Sequence, residues 1–269
     1  VPAPPLATVQ ISQIVVRRLF DCDNVYAFQN PDGQLIFASP YERDFTLIGS
    51  ITHAFKGDPA IVAMGVREVA YLCDAANRYF REQIAPVDVL RTISAANSVI
   101  APARRHRSDG AASLDFGRGK APLLTMFGGD VTTARWRAER AVSKFTRFHP
   151  MTPRWTATAP LPGGEFAWQR FETEVDIARD HWRFLSEAQA RRLVAAYGLN
   201  VKDVLGDAKA KADLGPAFGA ELTGAEVRYL MQKEWARFPD DILWRRSKLG
   251  LTMPQADRDA LAAFMTKPD

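Results

Sequence analysis

The sequence predicts an α+β protein in which an antiparallel sheet with a helix comes first and a wholly helical half follows. Three observations carry this. The first 50 residues alternate β-branched runs with turn signals. Residues 66–84 hold an apolar stripe at helical spacing. Beyond Pro150 the strand signals stop, and helix caps and stops take over.

Taken in order, Gln13 to Phe20 is rich in β-branched residues and reads as a strand. Val25–Phe28 and Leu35–Ala38 flank Asn30-Pro31-Asp32-Gly33, whose proline and glycine suit a tight turn. Asp44 to Ile48 adds another short strand, so the segment reads as an antiparallel meander fit to wall a ligand site. Val66 to Ile84 reads as a helix, because Val69, Leu72, Cys73, Ala76 and Phe80 recur at intervals of three and four. Cys73 on that stripe reads as a small buried hydrophobe and not as a nucleophile. An apolar stretch from Val87 to Ile100 follows Pro86.

Residues 101–120 hold Arg104-Arg105-His106-Arg107 and Ser108-Asp109-Gly110 with few large apolar side chains, and read as an exposed loop. That basic run could touch a phosphate or a lipid headgroup, although solvated loop charge is the commoner meaning. Leu123–Phe127 reads as a buried strand that runs into Gly128-Gly129, with a helix from Val131 to Phe145. Two glycines let the backbone approach a ligand closely, and a helix N-terminus offers free N–H groups; equally, such a pair is often only a turn.

The second half carries two capping-box signatures, Ser186-Glu187-Ala188-Gln189 and Thr223-Gly224-Ala225-Glu226. Gly198 marks a helix stop and Pro239 breaks the pattern after Trp235. A boundary is therefore expected near 150, with a compact helical domain to 269. Trp235 and Trp244 read as packing residues.

Composition narrows the function classes. The 269 residues are 47% hydrophobic and 25% charged, an ordinary globular balance, and the net charge of +4 does not mark a nucleic-acid binder. Two cysteines, Cys22 and Cys73, make no disulfide framework, which fits a reducing cytosol. The widely spaced His53, His106, His149 and His181 make no metal-ligand pattern. No apolar run has the roughly 18 residues of a membrane span, and the opening Val1-Pro2-Ala3-Pro4-Pro5 does not read as a signal peptide.

Several stretches together resemble the FAD-dependent, quinone-linked sn-glycerol-3-phosphate dehydrogenases. They are Ile14-Val15-Val16, Phe28-Gln29-Asn30, Pro40 through Gly49, Lys56-Gly57-Asp58-Pro59, and Ala121-Pro122-Leu123-Leu124 through Phe127-Gly128-Gly129. Thr132-Thr133, Leu161-Pro162-Gly163-Gly164 and Asp240 through Lys248 continue the series to the C-terminus. The resemblance implies oxidation of glycerol 3-phosphate to dihydroxyacetone phosphate, with electrons passed through FAD to quinone, in the cytoplasm and peripheral on the inner face of the cell membrane. It implies three pieces: an antiparallel-sheet substrate domain over 1–120, a strand–GlyGly–helix remnant closing the FAD domain over 121–149, and an all-helical C-terminal domain over 150–269. Gly128, Gly129, Val131, Thr132 and Thr133 would then be cofactor-binding residues. The helix N-terminus there would stabilise negative charge on the flavin pyrimidine edge by a fraction of a kcal/mol to about 2.

The resemblance is to the C-terminal half only. The strand, GxGxxG turn and helix that seat the FAD pyrophosphate occur nowhere in the 269 residues, so a separate FAD-domain chain is an expected partner. Positions near the chemistry also differ. Ser-His becomes Ser12-Gln13, the Arg of Tyr-Ser-Gly-Val-Arg-Pro becomes Asn97, Gly-Gly-Lys becomes Gly128-Gly129-Asp130, and Thr-Thr-Asp becomes Ser50-Ile51-Thr52. An amide at 13 cannot act as a general base near neutrality. Asn97 and Asp130 remove cations that a phosphate ester wants, each attraction worth roughly 3 kcal/mol at about 5 Å and an effective dielectric near 20. No residue is therefore assigned as catalytic, the isolated chain is expected not to turn over, and a non-catalytic remnant that binds a partner is the competing reading. His53, beside the Thr-Thr-Asp region, is a candidate substrate contact.

Overall fold

A computed structural model of the chain describes residues 6–100, 111–115, 121–129 and 131–266. The chain divides into two compact units, Val1–Thr158 and Ala159–Asp269. It is α+β, with an antiparallel sheet in the first unit and helices making up the second.

The first unit is built on a five-stranded sheet. Its strands are β1 (Leu6–Arg17), β2 (Tyr26–Gln29), β3 (Leu35–Tyr41), β4 (Phe45–Ala54) and β5 (Arg91–Ile100), in the order β2-β3-β4-β1-β5 with every pairing antiparallel. The sheet is thus not the simple meander expected. Only β2-β3-β4 run as neighbours in sequence order, while β1 lies between β4 and β5. The physical reason is the pattern of β1: Ile14, Val15 and Val16 are all fully buried, and a strand apolar on both sides belongs inside a sheet. The apolar stretch after Pro86 supplies its other neighbour, β5.

Helix α1 (Val66–Asn77) covers one face of this sheet. Its Leu72, Cys73, Ala75 and Ala76 pack on Ile14, Val16, Ile36, Ala38, Ile48 and Ile51. The helix stops at Asn77, short of the Ile84 expected from periodicity. The Asn77 side chain accepts the Ile84 N–H and donates to the Ile84 carbonyl, both at 2.8 Å, fixing a turn where further helix was possible. Phe80 kept the apolar spacing for another reason: it lies in an aromatic cluster with Phe20, Tyr26 and Phe28.

A second hairpin joins β6 (Ala111–Asp115) to β7 (Leu123–Phe127). Residues 111–115 are therefore strand, not loop, because β7 offers them a pairing edge. Arg104 to Arg107, with the rest of 101–110 and 116–120, lie outside the described residues. Strand β7 is not buried as expected: Leu123 and Met126 are exposed, 63% and 40%, since a two-stranded ribbon leaves a face open. After Gly128-Gly129 come a short 3-10 turn, Val131–Thr133, and helix α2 (Ala134–Ser143).

The second unit holds α3 (Phe171–His181), α4 (Glu187–Tyr197), α5 (Val201–Leu205), α6 (Gly224–Lys233) and α7 (Gln255–Met265), with a π-type turn over Asp241–Arg246. Ser186 Oγ accepts the Gln189 N–H and Thr223 Oγ1 the Glu226 N–H, so both caps form. The reciprocal half of each box does not, because a tertiary partner takes the side chain: Gln189 Nε2 donates to the Glu221 carbonyl, and Glu226 is drawn into the core. Gly198 ends α4 at φ +55°.

Candidate functional site

Alternation along a strand decides which residues can meet. On β1, Gln10 and Ser12 share the face of Ile14 and Val16, toward α1. Gln13 points to the other face, with Ile11 and Val15. Register extends this across the sheet: Gln13 lies opposite Gly49 on β4 and Ile93 on β5, and Gly49 in turn lies opposite Phe37 on β3. One row therefore runs Phe37, Gly49, Gln13, Ile93. Gly49 makes room for it, since a Cβ there would stand 2.6 Å from Gln13 Cγ. Leu35 and Phe37 on this face are 48% and 41% exposed.

Asn97 is exposed and pairs with Val9, which puts it on the same face as Gln13. It sits two rows away, about 13 Å along the strands at roughly 3.4 Å per residue. The fold thus gives the two positions one face without bringing them into contact.

His53 is on the opposite face. It pairs with Gln10, and its Nδ1 stands 3.2 Å from Glu68 Oε1 near the start of α1. The other Glu68 oxygen accepts the Gly65 N–H at 2.6 Å, completing the helix cap. His53 is therefore a neighbour of the α1 cap, not of Gln13 or Asn97.

The α1 face holds a polar network that the sequence reading missed. Gln10 Nε2 donates to Ser12 Oγ at 2.9 Å and to the Ala63 carbonyl at 3.1 Å, and Ser12 Oγ meets Ser94 Oγ at 2.9 Å. The alternation Gln10, Ser12, Ile14, Val16 was the available signal: two polar residues continuing an inward apolar row need internal partners.

The Gly128-Gly129 pair has φ +65° and +93°, so both residues use backbone open to glycine. Asp130 lies outside the described residues. Val131 is exposed, and Thr132 and Thr133 complete the 3-10 turn leading into α2. On α2, Arg137 Nη2 donates to the Phe127 carbonyl at 3.2 Å, and a Cβ built on Gly129 would fall 1.5 Å from Arg137 Nη1. The Arg137 guanidinium thus lies over Gly129, a residue sequence reasoning did not single out. Beside it, the Thr156 hydroxyl and then Arg135 hold the Glu139 carboxyl below its ordinary range.

Among the described residues no cluster of three or more His, Cys, Asp or Glu could hold a metal ion, and no helix is long and apolar enough to cross a membrane. Gly128 and Gly129 carry no side chains of their own, the kind of backbone a flavin edge can approach, but the Arg137 guanidinium covers Gly129. A pyrophosphate cradle is not encoded in these residues.

Comparison with known proteins locates this architecture. Residues 154–266 match the family model for the C-terminal domain of alpha-glycerophosphate oxidase. The chain is 37% identical to a glycerol-3-phosphate dehydrogenase of Pseudomonas aeruginosa, across 96% of this chain and 51% of that protein. It is 38% identical to the D-erythritol 1-phosphate dehydrogenase of Brucella abortus, across 95% and 52%. With the aerobic glycerol-3-phosphate dehydrogenase of Escherichia coli the identity is 36%, across 99% and 54%. The chain spans about half the length of the curated relatives it matches. The X-ray structure of the glycerol-3-phosphate dehydrogenase from Bacillus halodurans complexed with FAD shares the fold, with a TM-score of 0.74 at 22% identity, over 96% of this chain and 55% of that one.

Proposed function

We propose that this chain, which is similar over nearly all of its length to the C-terminal half of glycerol-3-phosphate dehydrogenases, supplies the substrate-facing half of an FAD-dependent polyol-phosphate dehydrogenase. The reaction takes two electrons and two protons from a secondary alcohol next to a phosphorylated carbon, giving a ketone; for glycerol 3-phosphate the product is dihydroxyacetone phosphate. FAD, when bound, would supply the two-electron acceptor, with quinone as the acceptor beyond it. In this reading residues 1–120 are the substrate domain, 121–149 close the FAD domain, and the helical domain runs from 150. The sheet face bearing Gln13 and Asn97 walls the substrate, and Gly128, Gly129, Val131, Thr132 and Thr133 line the flavin edge.

The observation that carries the reading is 36–38% identity, over 95–99% of the chain, to proteins that act on polyol phosphates. The open sheet face supports it. The chain's own groups would bind and orient: the Gln13 amide can donate and accept hydrogen bonds without moving a proton, and the Gly-Gly backbone N–H groups would donate to an acceptor on the flavin edge. The pyrophosphate cradle must come from another polypeptide segment, so these residues alone do not turn over.

The test is reconstitution. The purified chain, alone and mixed with a separately expressed FAD-binding half, is assayed for flavin absorbance and for dye reduction by glycerol 3-phosphate and by D-erythritol 1-phosphate. The expected result is a colourless, inactive chain alone and a yellow, active mixture. The erythritol arm is included because the Brucella relative carries that name at 38% identity. A chain that is yellow and active alone overturns the division of labour. A mixture that associates but reduces nothing makes the chain a non-catalytic remnant that binds a partner.

A further inference from the structure

Helix α2 carries three arginines, and two of them are engaged along the helix. Arg135 Nη1 lies 3.2 Å from Thr156 Oγ1 and 3.3 Å from Glu139 Oε1. Arg140 stacks its guanidinium 4.4 Å from the centroid of the Trp136 ring. Arg137 goes elsewhere. Helical side chains lean toward the N-terminus, and this one reaches back past its own first turn to the Gly128-Gly129 loop. There it donates to the Phe127 carbonyl and fills the space a side chain at 129 would occupy. Among the described residues it makes no ion pair. It is half-buried, and only part of its five-donor fork is spent on the carbonyl.

We propose that Arg137 is the phosphate-recognising cation of the Gly128-Gly129 loop, supplying from the second turn of α2 the positive charge that Asp130 cannot. The inference rests on the proposed function and adds to it that this loop, besides lining the flavin edge, faces the phosphorylated substrate. A guanidinium offers paired N–H donors matched to phosphate oxygens. Two glycines without side chains let the anion approach both the fork and the backbone N–H groups. The loss of cations at 97 and 130 is therefore offset in part: the charge is moved seven residues along and arrives at the same turn. Asp130, next to Gly129 in sequence, weakens the attraction, so its neutral variant binds anions more tightly.

The experiment titrates the full chain with inorganic phosphate and, separately, with glycerol 3-phosphate, following the Arg Nε–Hε resonances by NMR, with circular dichroism as the check on folding. Arg137→Gln is expected to weaken binding of both anions tenfold or more. Arg137→Lys, which keeps charge and loses the fork, falls between that variant and the parent. Asp130→Asn tightens binding, and Arg140→Gln, altered on the same helix away from the loop, leaves it unchanged. The proposal is overturned if the parent chain binds neither anion, if Arg137→Gln binds as well as the parent, or if Arg140→Gln loses as much. It is overturned too if Arg137→Gln binds more tightly, since Arg137 would then be a plug in the loop. A chain that binds phosphate through Arg137 but never oxidises a polyol phosphate when reconstituted keeps this inference and sinks the enzymatic reading instead.

Discussion

The helical unit and the sheet unit bury their apolar surface in different ways. The helical core gathers 22 buried apolar residues from a unit that begins at Ala159, whereas the sheet core gathers 11 from a longer unit, among the described residues. The helices close around their core from several sides. The sheet is packed on the α1 face and leaves Leu35 and Phe37 substantially exposed on the other. An exposed apolar face of this kind is a surface made to be covered. Polar groups follow the same division. The helical unit buries Glu226 to 1% exposure, and Arg192 grips it with both terminal nitrogens at 2.7 Å while the Tyr197 hydroxyl donates to it at 2.8 Å. Burial and then the Glu226 charge push the Tyr197 pKa up, so it stays a donor. The lesson is that the helical unit closes its own core, whereas the sheet unit keeps apolar side chains exposed on the face away from α1.

The largest expected difference between the two units lies at Glu226. Glu226→Ala leaves the partly buried Arg192 guanidinium with the Glu221 carbonyl but without its carboxylate, and removing one member of a buried pair costs about 3–5 kcal/mol, here at the lower end because Arg192 keeps some solvent. Hydrogen exchange read peptide by peptide should show protection lost across α4 and α6 and kept in β1 and β4. Equal loss in both units would mean that they do not fold independently. Next in size is Leu72→Ala, which opens a cavity between α1 and the sheet at a cost of about 2–5 kcal/mol. Urea unfolding should shift for the sheet unit alone. Smaller again is Phe37→Ser on the open face, expected to move stability by no more than about 0.5 kcal/mol while reducing binding of the dye ANS. Unchanged dye binding would argue that the exposed apolar surface lies elsewhere.

Legibility in the sequence followed how local each determinant was. Strands β2, β3 and β7 could be read from residues within a few positions, and so could the caps at Ser186 and Thr223. The central place of β1 could not, because it depends on β5 arriving some 80 residues later to pair with it. The early end of α1 was hidden because Phe80 kept helical spacing while serving an aromatic cluster. At the candidate site the sequence exposed Gln13, Asn97 and Gly128-Gly129 as positions, but not that His53 faces away from the first two. Nor could it show Arg137 lying over Gly129, since one arginine among several on a helix carries no sign of where its guanidinium ends.

The smallest effect tests the polar tie of the sheet unit. The Tyr71 hydroxyl donates to Asp32 Oδ2 at 2.7 Å, joining α1 to the β2–β3 turn. That bond, with the Gln34 N–H, holds the Asp32 carboxyl below its ordinary 3.8. Burial first, and Asp32 second, push Tyr71 up to about 12. A depressed carboxyl contributes stability above its unfolded pKa and loses it as pH falls below about 4. A raised phenol contributes fully below its unfolded pKa near 10 and loses it as pH climbs through about 12. Stability of the sheet unit should therefore decline at both ends of the scale, by a modest amount because the pair is partly solvated. Tyr71→Phe should flatten both arms, since it removes the phenol and the donor together. Asp32→Asn should flatten the acid arm and leave most of the alkaline one, because burial is the larger cause of the Tyr71 shift. An alkaline arm that vanished in Asp32→Asn would show that the carboxylate, not burial, governs the phenol.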